Sequence, residues 1–370
     1  LSHSPNDSRH DLFRACRGCG CRAWRASRVD RFFRENTMMT AVPTSTALDS
    51  GSTLAHLPIA LFGSVMGLTG LAVAWRLAQV HFGAPSWVAQ VVGAIALAVF
   101  VVLAAAYLAK LAIHPDRVRA EFAHPIAGNM FGAPMISLLL IPLLLVDQHL
   151  LLARVLWCIG VAGMTLLAWW MVMRWISVRQ QPEHATPAWI VPVVGMLDIP
   201  LAAPALGWAH GMHGLMAFGT AVGLFFAVPL FTMIVSRLMF AEPFPDAMRP
   251  SLLILCAPFA VGFSAYVATT GVIDDFATGL YMVMLFVLAV LVTRLWHLGR
   301  CCPFRVSWWA VSFPLAASAV AALKYAGFAQ HPSADAIAAV LLGLASLVIA
   351  ALFLRTAWGI ARGELRTLST

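Results

Sequence analysis

Charge is what this chain has least of. Asp, Glu, Lys and Arg together make up 11% of its 370 residues, against about 25% in a soluble domain. That balance excludes an ordinary soluble protein. The short motifs of catalysis are missing too. No glycine-rich nucleotide loop, zinc signature or nucleophile elbow occurs, so neither an enzyme nor a bound cofactor or metal is expected. Cysteine is scarce and its seven copies are not at the spacings of a disulfide framework. Cys158 and Cys256 fall inside apolar runs and Cys301-Cys302 beside a basic loop, which reads as reduced thiols.

The first 37 residues differ from all that follows, with arginines at 9, 14, 17, 22, 25, 28, 31 and 34. The cluster Cys16-x-x-Cys19-x-Cys21 lacks further zinc ligands at suitable spacing, since His3 and His10 are poorly placed. No apolar stretch follows the arginines closely, which excludes a secretory signal. Residues 1–50 therefore read as a basic leader, disordered or mis-assigned, with Met38 a natural start. A formal charge of +8 does not point to nucleic acid, because the arginines lie in this leader and in loops.

What the chain does contain is hydrophobic sequence: 61% of all residues, with a mean hydropathy of +0.84. Ten apolar runs follow one another at 57–80, 87–113, 127–146, 150–175, 187–206, 211–236, 250–271, 276–296, 306–328 and 334–359. Each is about 20 residues or longer, enough to cross about 30 Å of hydrocarbon. The fold expected is all-α and integral to the lipid bilayer, with ten transmembrane helices over 51–363 and a short tail at 364–370. The loops after even-numbered spans, with the C-terminus, hold thirteen cations: Lys110, Arg117, Arg119, Arg174, Arg179, Arg237, Arg249, Arg294, Arg300, Arg305, Arg355, Arg362 and Arg366. The opposite side holds Arg76, Arg154 and Lys324. This asymmetry puts both termini in the cytoplasm.

Proline divides the spans into two sets. Odd spans carry it deep inside, at Pro134 and Pro142, Pro192, Pro200 and Pro204, Pro258, and Pro314. The first span has Gly63, Gly67 and Gly70 instead, and among even spans the sixth alone has a deep proline, Pro229. A spanning helix broken by proline must bury its freed carbonyls against protein or a watery cavity. The odd spans are accordingly expected inside and the even spans as an outer, lipid-facing ring. Odd spans begin at 57, 127, 187, 250 and 306, about 55 to 70 residues apart. That spacing predicts five helical hairpins around a central axis.

One stretch carries more specific content: Ser307, Trp308, Trp309, Ala310, Val311, Ser312, Phe313 and Pro314, followed by Lys324, Tyr325 and Ala326. By residue type alone the tryptophans read as interfacial anchors and Phe313 as packing beside a kink. The stretch resembles the ninth span of the TehA/slow-type anion channel family. His124-Pro125-x-x-x-Asn129-x-Phe131-x-x-Pro134 resembles that family's third span, Pro192 to Gly195 its fifth, and Ala257-Pro258 with Ser264 to Tyr266 its seventh. The family includes tellurite-resistance and C4-dicarboxylate transporters, malate and sulfite transporters, and guard-cell anion channels. The resemblance implies a pore through each subunit of a homotrimer in the plasma membrane, the inner membrane of a bacterium. It also implies that the phenylalanine at Phe313 closes the pore, since a bulky apolar ring blocks ions by exclusion and dewetting. Ser312 and Pro314 flank it.

The sequence departs from the family at Ala127, where an arginine is common. Lys110, Arg117 and Arg119, just upstream, are expected to supply the same local field. Asp198 lies midway along the fifth span, where a carboxylate is costly. It reads either as a proton carrier or as a structural group bonded near the carbonyls freed by Pro200 and Pro204. Phe62, Phe131, Phe259 and Phe263, with Asn129, are further pore-lining candidates on inner spans. His210 and His213 read as solvated, and Asp274-Asp275 as a helix cap. The function expected is passage of small anions: C4-dicarboxylate or malate, tellurite, sulfite, chloride or nitrate. A proton-coupled dicarboxylate carrier of the same fold is the alternative, and a non-transporting membrane scaffold or sensor the reading from another class.

Overall fold

A membrane leaves the backbone no partner but itself, so apolar runs of this length fold as helices. The computed structural model describes residues 53–242, 244–295 and 304–363, and every regular element among them is helical. The basic leader of residues 1–50, Arg300, Cys301-Cys302 and the 364–370 tail lie outside the described residues. In chain order the segments are α1 (Ile59–Phe82), α2 (Ser86–Ile113), α3 (Pro115–Ala123), α4 (Ala127–Leu145), α5 (Leu150–Ser177) and α6 (Pro187–Ala202). They continue as α7 (His213–Phe240), α8 (Asp246–Thr270), α9 (Asp275–Arg294), α10 (Val306–Ala329) and α11 (Pro332–Ala361). Nine of these are long and apolar enough to cross a membrane; α6 is shorter and α3 is polar.

Burial alternates along the chain. In α1, α4, α8 and α10 between 67% and 78% of the membrane-length stretch is buried, whereas in α2, α5, α7, α9 and α11 the share is 11–33%. Every residue of α6 from Pro187 to Pro200 is buried. The inner set is therefore α1, α4, α6, α8 and α10, the segments expected inside from their prolines and glycines. Contacts among them run in a closed circuit: α1 on α4, α4 on α6, α6 on α8, α8 on α10, and α10 back on α1. Each of the other five packs on the inner segment that precedes it, and α5, α7, α9 and α11 also reach the following one. Their outward faces carry Val102, Leu151, Phe225, Phe286 and Leu347, all exposed. Large apolar residues in such numbers on a surface require lipid around them.

Inner and outer segments also differ in how they begin. Each inner segment opens in 3-10 helix: Ile59–Leu61, Ala127–Phe131, Pro187–Ile190, Asp246–Cys256 and Val306–Val311. These five openings touch one another in the same closed order, so all five segments start at one end of the ring and run parallel. The prolines sit just past the change from 3-10 to α. Pro134 follows Gly132, Pro192 follows Val191, Pro200 follows Ile199, Pro258 follows Ala257 and Pro314 follows Ser312, each in the first turn of an α stretch. The first residue of each α stretch donates back into the 3-10 turn before it, as Gly132 N does to Asn129 O and Ser312 N to Trp309 O, and proline one or two residues further on interrupts that ladder where the helix type changes. These five prolines thus mark junctions within the inner segments, whereas Pro142 opens a new α stretch where the helix breaks at Ile141. The fifth run, expected over 187–206, shows this most: α6 changes three times between 3-10 and α and ends as helix at Ala202. The greater rise of 3-10 helix, about 2.0 Å per residue, lengthens it for its residue count.

Glycine performs in α1 what proline does not. Gly63 faces Trp309, Gly67 faces Ser312, and Gly70 faces Ala316 and Phe313, in parallel register. A Cβ on Gly67 would collide with the Ser312 side chain, and one on Gly70 would come within 2.9 Å of the Ala316 Cβ. Close approach of this kind replaces the hydrophobic drive that helices lack in lipid. Polar side chains then satisfy carbonyls across the ring. Ser312 Oγ donates to Gly63 O (3.1 Å) and Trp309 O (2.7 Å), and Trp157 Nε1 donates to Ile199 O (3.0 Å). Arg154 donates to Leu206 O at 3.0 Å and Arg76 to Leu143 O at 2.8 Å.

The polar helix α3 falls where hydropathy alone reads a loop. It is tied down at Glu121, which accepts from Ile59 N (2.7 Å), Tyr107 Oη (3.0 Å) and Lys110 Nζ (2.7 Å). At its C-terminal end Arg174 donates to Phe122 O and Ala123 O, a cation on carbonyls that the helix leaves unpaired. These ties correct one expectation. Lys110 is 3% exposed and engaged with Glu121 and Leu57 O, so its charge is neutralised locally and does not replace the arginine missing at Ala127. Arg119 pairs with Asp116 on the surface.

Candidate functional site

The inner ring encloses two cavities. The first, of about 50 Å³, takes its walls from the early part of each inner segment, among them Met66, Met130, Val194, Ala257 and Ala310. The second, of about 210 Å³, takes its walls from the later part, among them Val73, Leu140, Leu201, Ser264 and Val320. All five inner segments contribute to both cavities and no outer helix contributes to either. Because the segments are parallel, the cavities follow one another along the ring axis. Two residues line both, Phe313 and Val261. These two side chains form the partition.

Local structure explains the position of Phe313. It occupies the first turn of the α part of α10, immediately before Pro314, where the chain leaves 3-10 helix at Val311. Ser312 on one side is fully buried and bonded into α1, and Pro314 on the other is buried, while Phe313 is half-buried with its ring toward open space. Gly70 stands behind the ring: a Cβ there would lie 3.9 Å from Phe313 Cδ2. The ring thus meets a glycine on α1 and a cavity on either side.

Both cavities are walled almost entirely by apolar atoms, with one ionisable group in each. In the first it is Asp198, 1% exposed, whose Oδ1 has no hydrogen-bond partner. A structural carboxylate would have its oxygens satisfied, so the missing partner weighs against the purely structural reading. In the second it is Lys324. Among the described residues no three of His, Cys, Asp and Glu are placed to hold a metal, and His210 and His213 are exposed.

The remaining candidates lie elsewhere. Phe62 is buried with its ring 6.5 Å from Phe100 and 6.3 Å from Tyr107, both on α2. Phe131 meets Phe122 of α3 at 5.0 Å, Phe259 meets Phe231 of α7 at 5.3 Å, and Phe263 meets Tyr281 of α9 at 5.9 Å. These four rings pack on helices outside the ring and line neither axial cavity. Asn129 is buried and its Nδ2 donates to Pro125 O and Ile126 O, which closes the turn into α4. Pro314 lines the first cavity; Ser312 ties α10 to α1. Trp309 departs from the anchor expected of it. It is 2% exposed, lines the first cavity and donates from Nε1 to Thr356 Oγ1 of α11 at 3.0 Å. Successive residues of a 3-10 helix point about 120° apart, so Trp308 and Trp309 cannot share one surroundings. Val261, Ser264 and Lys324 were not among the candidates. Lys324 falls in the ninth apolar run and in the stretch resembling the family's ninth span, yet it counts there only as one of three cations on the less basic side.

At the near mouth, His124 Nδ1 accepts from Ile126 N (3.2 Å) and Ala127 N (3.0 Å), holding the turn into α4. Partial burial, and then the neighbouring His184 and Arg174 cations, hold its imidazole below the usual histidine value. Asp274, ahead of α9, accepts from Ala277 N at 2.9 Å and Tyr266 Oη at 2.6 Å, the cap expected there. Those bonds hold its carboxyl below the usual carboxylate range.

A closed ring of parallel apolar segments, sheathed by lipid-facing helices and interrupted by one aromatic ring, defines a multi-pass membrane protein built around an axial pathway. The chain belongs to the voltage-dependent anion channel family, whose profile matches residues 56–357. It is 29% identical over 315 residues to the S-type anion channel SLAH3 of Arabidopsis thaliana, a match covering 82% of this chain and 48% of that protein. It is 26% identical over 315 residues to the guard cell S-type anion channel SLAC1 of the same plant, covering 82% and 56% respectively. To the tellurite resistance protein TehA homolog of Haemophilus influenzae it is 27% identical over 274 residues, covering 73% and 81%. The chain thus spans about half the length of these two plant channels. The family is one of channels rather than enzymes.

Proposed function

We propose that this protein passes small anions across a membrane through a pore in its own chain, with Phe313 as the gate. The observation that carries the proposal is that Phe313 lines both axial cavities and separates them. An aromatic ring at a constriction excludes hydrated ions sterically and dries the gap around it, so displacing the ring opens the path. The names of the relatives, two S-type anion channels and a tellurite resistance homolog, point to anions as the cargo. The candidate cargo is the class expected from the sequence: C4-dicarboxylate or malate, tellurite, sulfite, chloride or nitrate. On this reading residues 51–363 form the transport domain, and α6 makes the tenth crossing. Five hairpins then surround the pore, both termini are cytoplasmic, and three subunits assemble in the plasma membrane, the inner membrane of a bacterium.

The test is conductance. In planar bilayers containing the purified chain, Phe313→Ala is expected to raise anion current at least about tenfold, the equivalent of a barrier lowered by about 1.4 kcal/mol. Phe313→Leu, which keeps bulk, should fall between. Equal currents from the parent and Phe313→Ala with chloride, nitrate, sulfite and malate would remove the gate.

Asp198 supports a second reading, a proton-coupled carrier. A buried carboxylate with an unbonded oxygen, facing the pathway beside the gate, is chemically suited to take up and release a proton. On that reading Asp198→Asn flattens the dependence of malate uptake on external pH in proteoliposomes. An unchanged pH profile leaves the channel reading alone.

A further inference from the structure

The chain has two lysines, Lys110 and Lys324. Lys110 is neutralised by Glu121 at 2.7 Å. Lys324 has no hydrogen-bond or ion-pair partner among the described residues; it is half-buried, five residues before the end of α10, and lines the second axial cavity. Across the same cavity, on α8, stands Ser264. It is 5% exposed and its hydroxyl has no hydrogen-bond partner. A serine in a helix commonly donates to the carbonyl four residues back, as Ser137 does to Ala133 O and Ser318 to Pro314 O. Ser264 does not, which leaves its O–H unbonded in the wall of the cavity.

An ammonium and a hydroxyl, both able to donate and both unpartnered, therefore face one space of about 210 Å³ whose other walls are Gly70, Val73, Leu140, Leu201 and similar apolar groups. About 10–15 Å³ of such space holds one water, so a small anion fits together with part of its hydration shell. Buried polar groups are almost always bonded, so the unbonded Ser264 hydroxyl, in one chamber with a half-buried ammonium that has no protein partner among the described residues, matches an occupant that only accepts. We propose that Lys324 and Ser264 form an anion-binding subsite in the second chamber, beyond Phe313 from Asp198. The occupant is a small inorganic anion of the halide or oxyanion class. This deepens the proposed function and rests on it. The subsite holds an anion directly next to the gate, in a chamber whose apolar walls leave the ammonium field unscreened. The carboxylate of Asp198 lies in the other chamber. The two ionisable side chains thus stand on opposite sides of one ring, and an anion is held on the Lys324 side.

The experiment uses the full chain in planar bilayers with Phe313→Ala as the open parent and sodium nitrate and sodium chloride as probes. Lys324→Met is expected to raise the half-saturating anion concentration about tenfold and to lower the preference for anion over sodium read from the reversal potential in a salt gradient. Lys324→Arg should restore both. Ser264→Ala should raise half-saturation about threefold without changing charge selectivity, and it carries the test if Lys324→Met does not reconstitute. Half-saturation and reversal potential equal to the parent in both Lys324→Met and Ser264→Ala would overturn the subsite while leaving the pore standing. No anion current through the Phe313→Ala parent itself would overturn the pore and the subsite together.

Discussion

Phe313 and His124 are legible in the sequence to different depths. Phe313 reads as packing from its residue type and as a gate from the motif around it, and the structure places it in the wall of both cavities. The phenylalanines at 62, 131, 259 and 263 read in the same way from the sequence, yet each turns to an aromatic partner on a neighbouring helix. A helix that is apolar on every side has no amphipathic face, so nothing in its residue order tells inward from outward. Lys324 and Ser264 were hidden for the same reason, since their meaning depends on which wall they stand in. His124 yields a prediction at this scale. Its imidazole is held below the usual value, so the unfolded chain binds protons more readily than the folded one. Its contribution to stability is therefore complete above about pH 6.5 and declines as pH falls below that value. Protonation also removes the Nδ1 lone pair that accepts from Ile126 N and Ala127 N. The expected result is that the loss of melting temperature between about pH 7 and pH 5 shrinks in His124→Asn. The change should be small, under about 2 °C, because the side chain is partly solvated.

Among the segments, the sequence distinguishes two kinds and misjudges what makes them different. Proline predicts which segments are inner, and that assignment agrees with the burial pattern. At Pro134, Pro192, Pro200, Pro258 and Pro314 the expected kinks are instead junctions between 3-10 and α helix, while at Pro142 the α-helix does break. A 3-10 stretch as long as Asp246–Cys256 is uncommon and marks a place where the backbone is held by its neighbours rather than by its own bonds. The third helix, α3, was not legible as an element at all, because nine residues with four charges between two apolar runs read as a loop. What makes it a helix is its anchorage. Glu121 and Lys110, with side chains 14% and 4% exposed, form an ion pair completed by Ile59 N and Tyr107 Oη. Removing one partner leaves the other charge buried and alone. Glu121→Gln is expected to destabilise the protein by about 3 kcal/mol, read as a lower melting temperature in detergent. The double variant Lys110→Met with Glu121→Gln should recover part of that loss, since it removes the stranded charge. A double variant no better than Glu121→Gln would show that the bonds to Ile59 and Tyr107 matter more than the charge.

At the scale of the whole molecule, composition alone determined that this is a membrane protein. The lengths of its apolar runs, the uneven charge of its loops and the alternation of proline are all local quantities that the order of residues records directly. They account for nine of the long helices among the described residues, and for the separation of inner from outer segments. What the tertiary structure decided is the ring itself: that α10 closes on α1, that the five inner segments run parallel, and that one phenylalanine divides their common space. It also decided that a carboxylate faces one chamber while an ammonium and a hydroxyl face the other. The physical reason is that lipid accepts an apolar surface on every side. Hydrophobicity can therefore place a helix in the membrane, but only close packing at glycines such as Gly67 and Gly70 sets which of its faces looks along the axis.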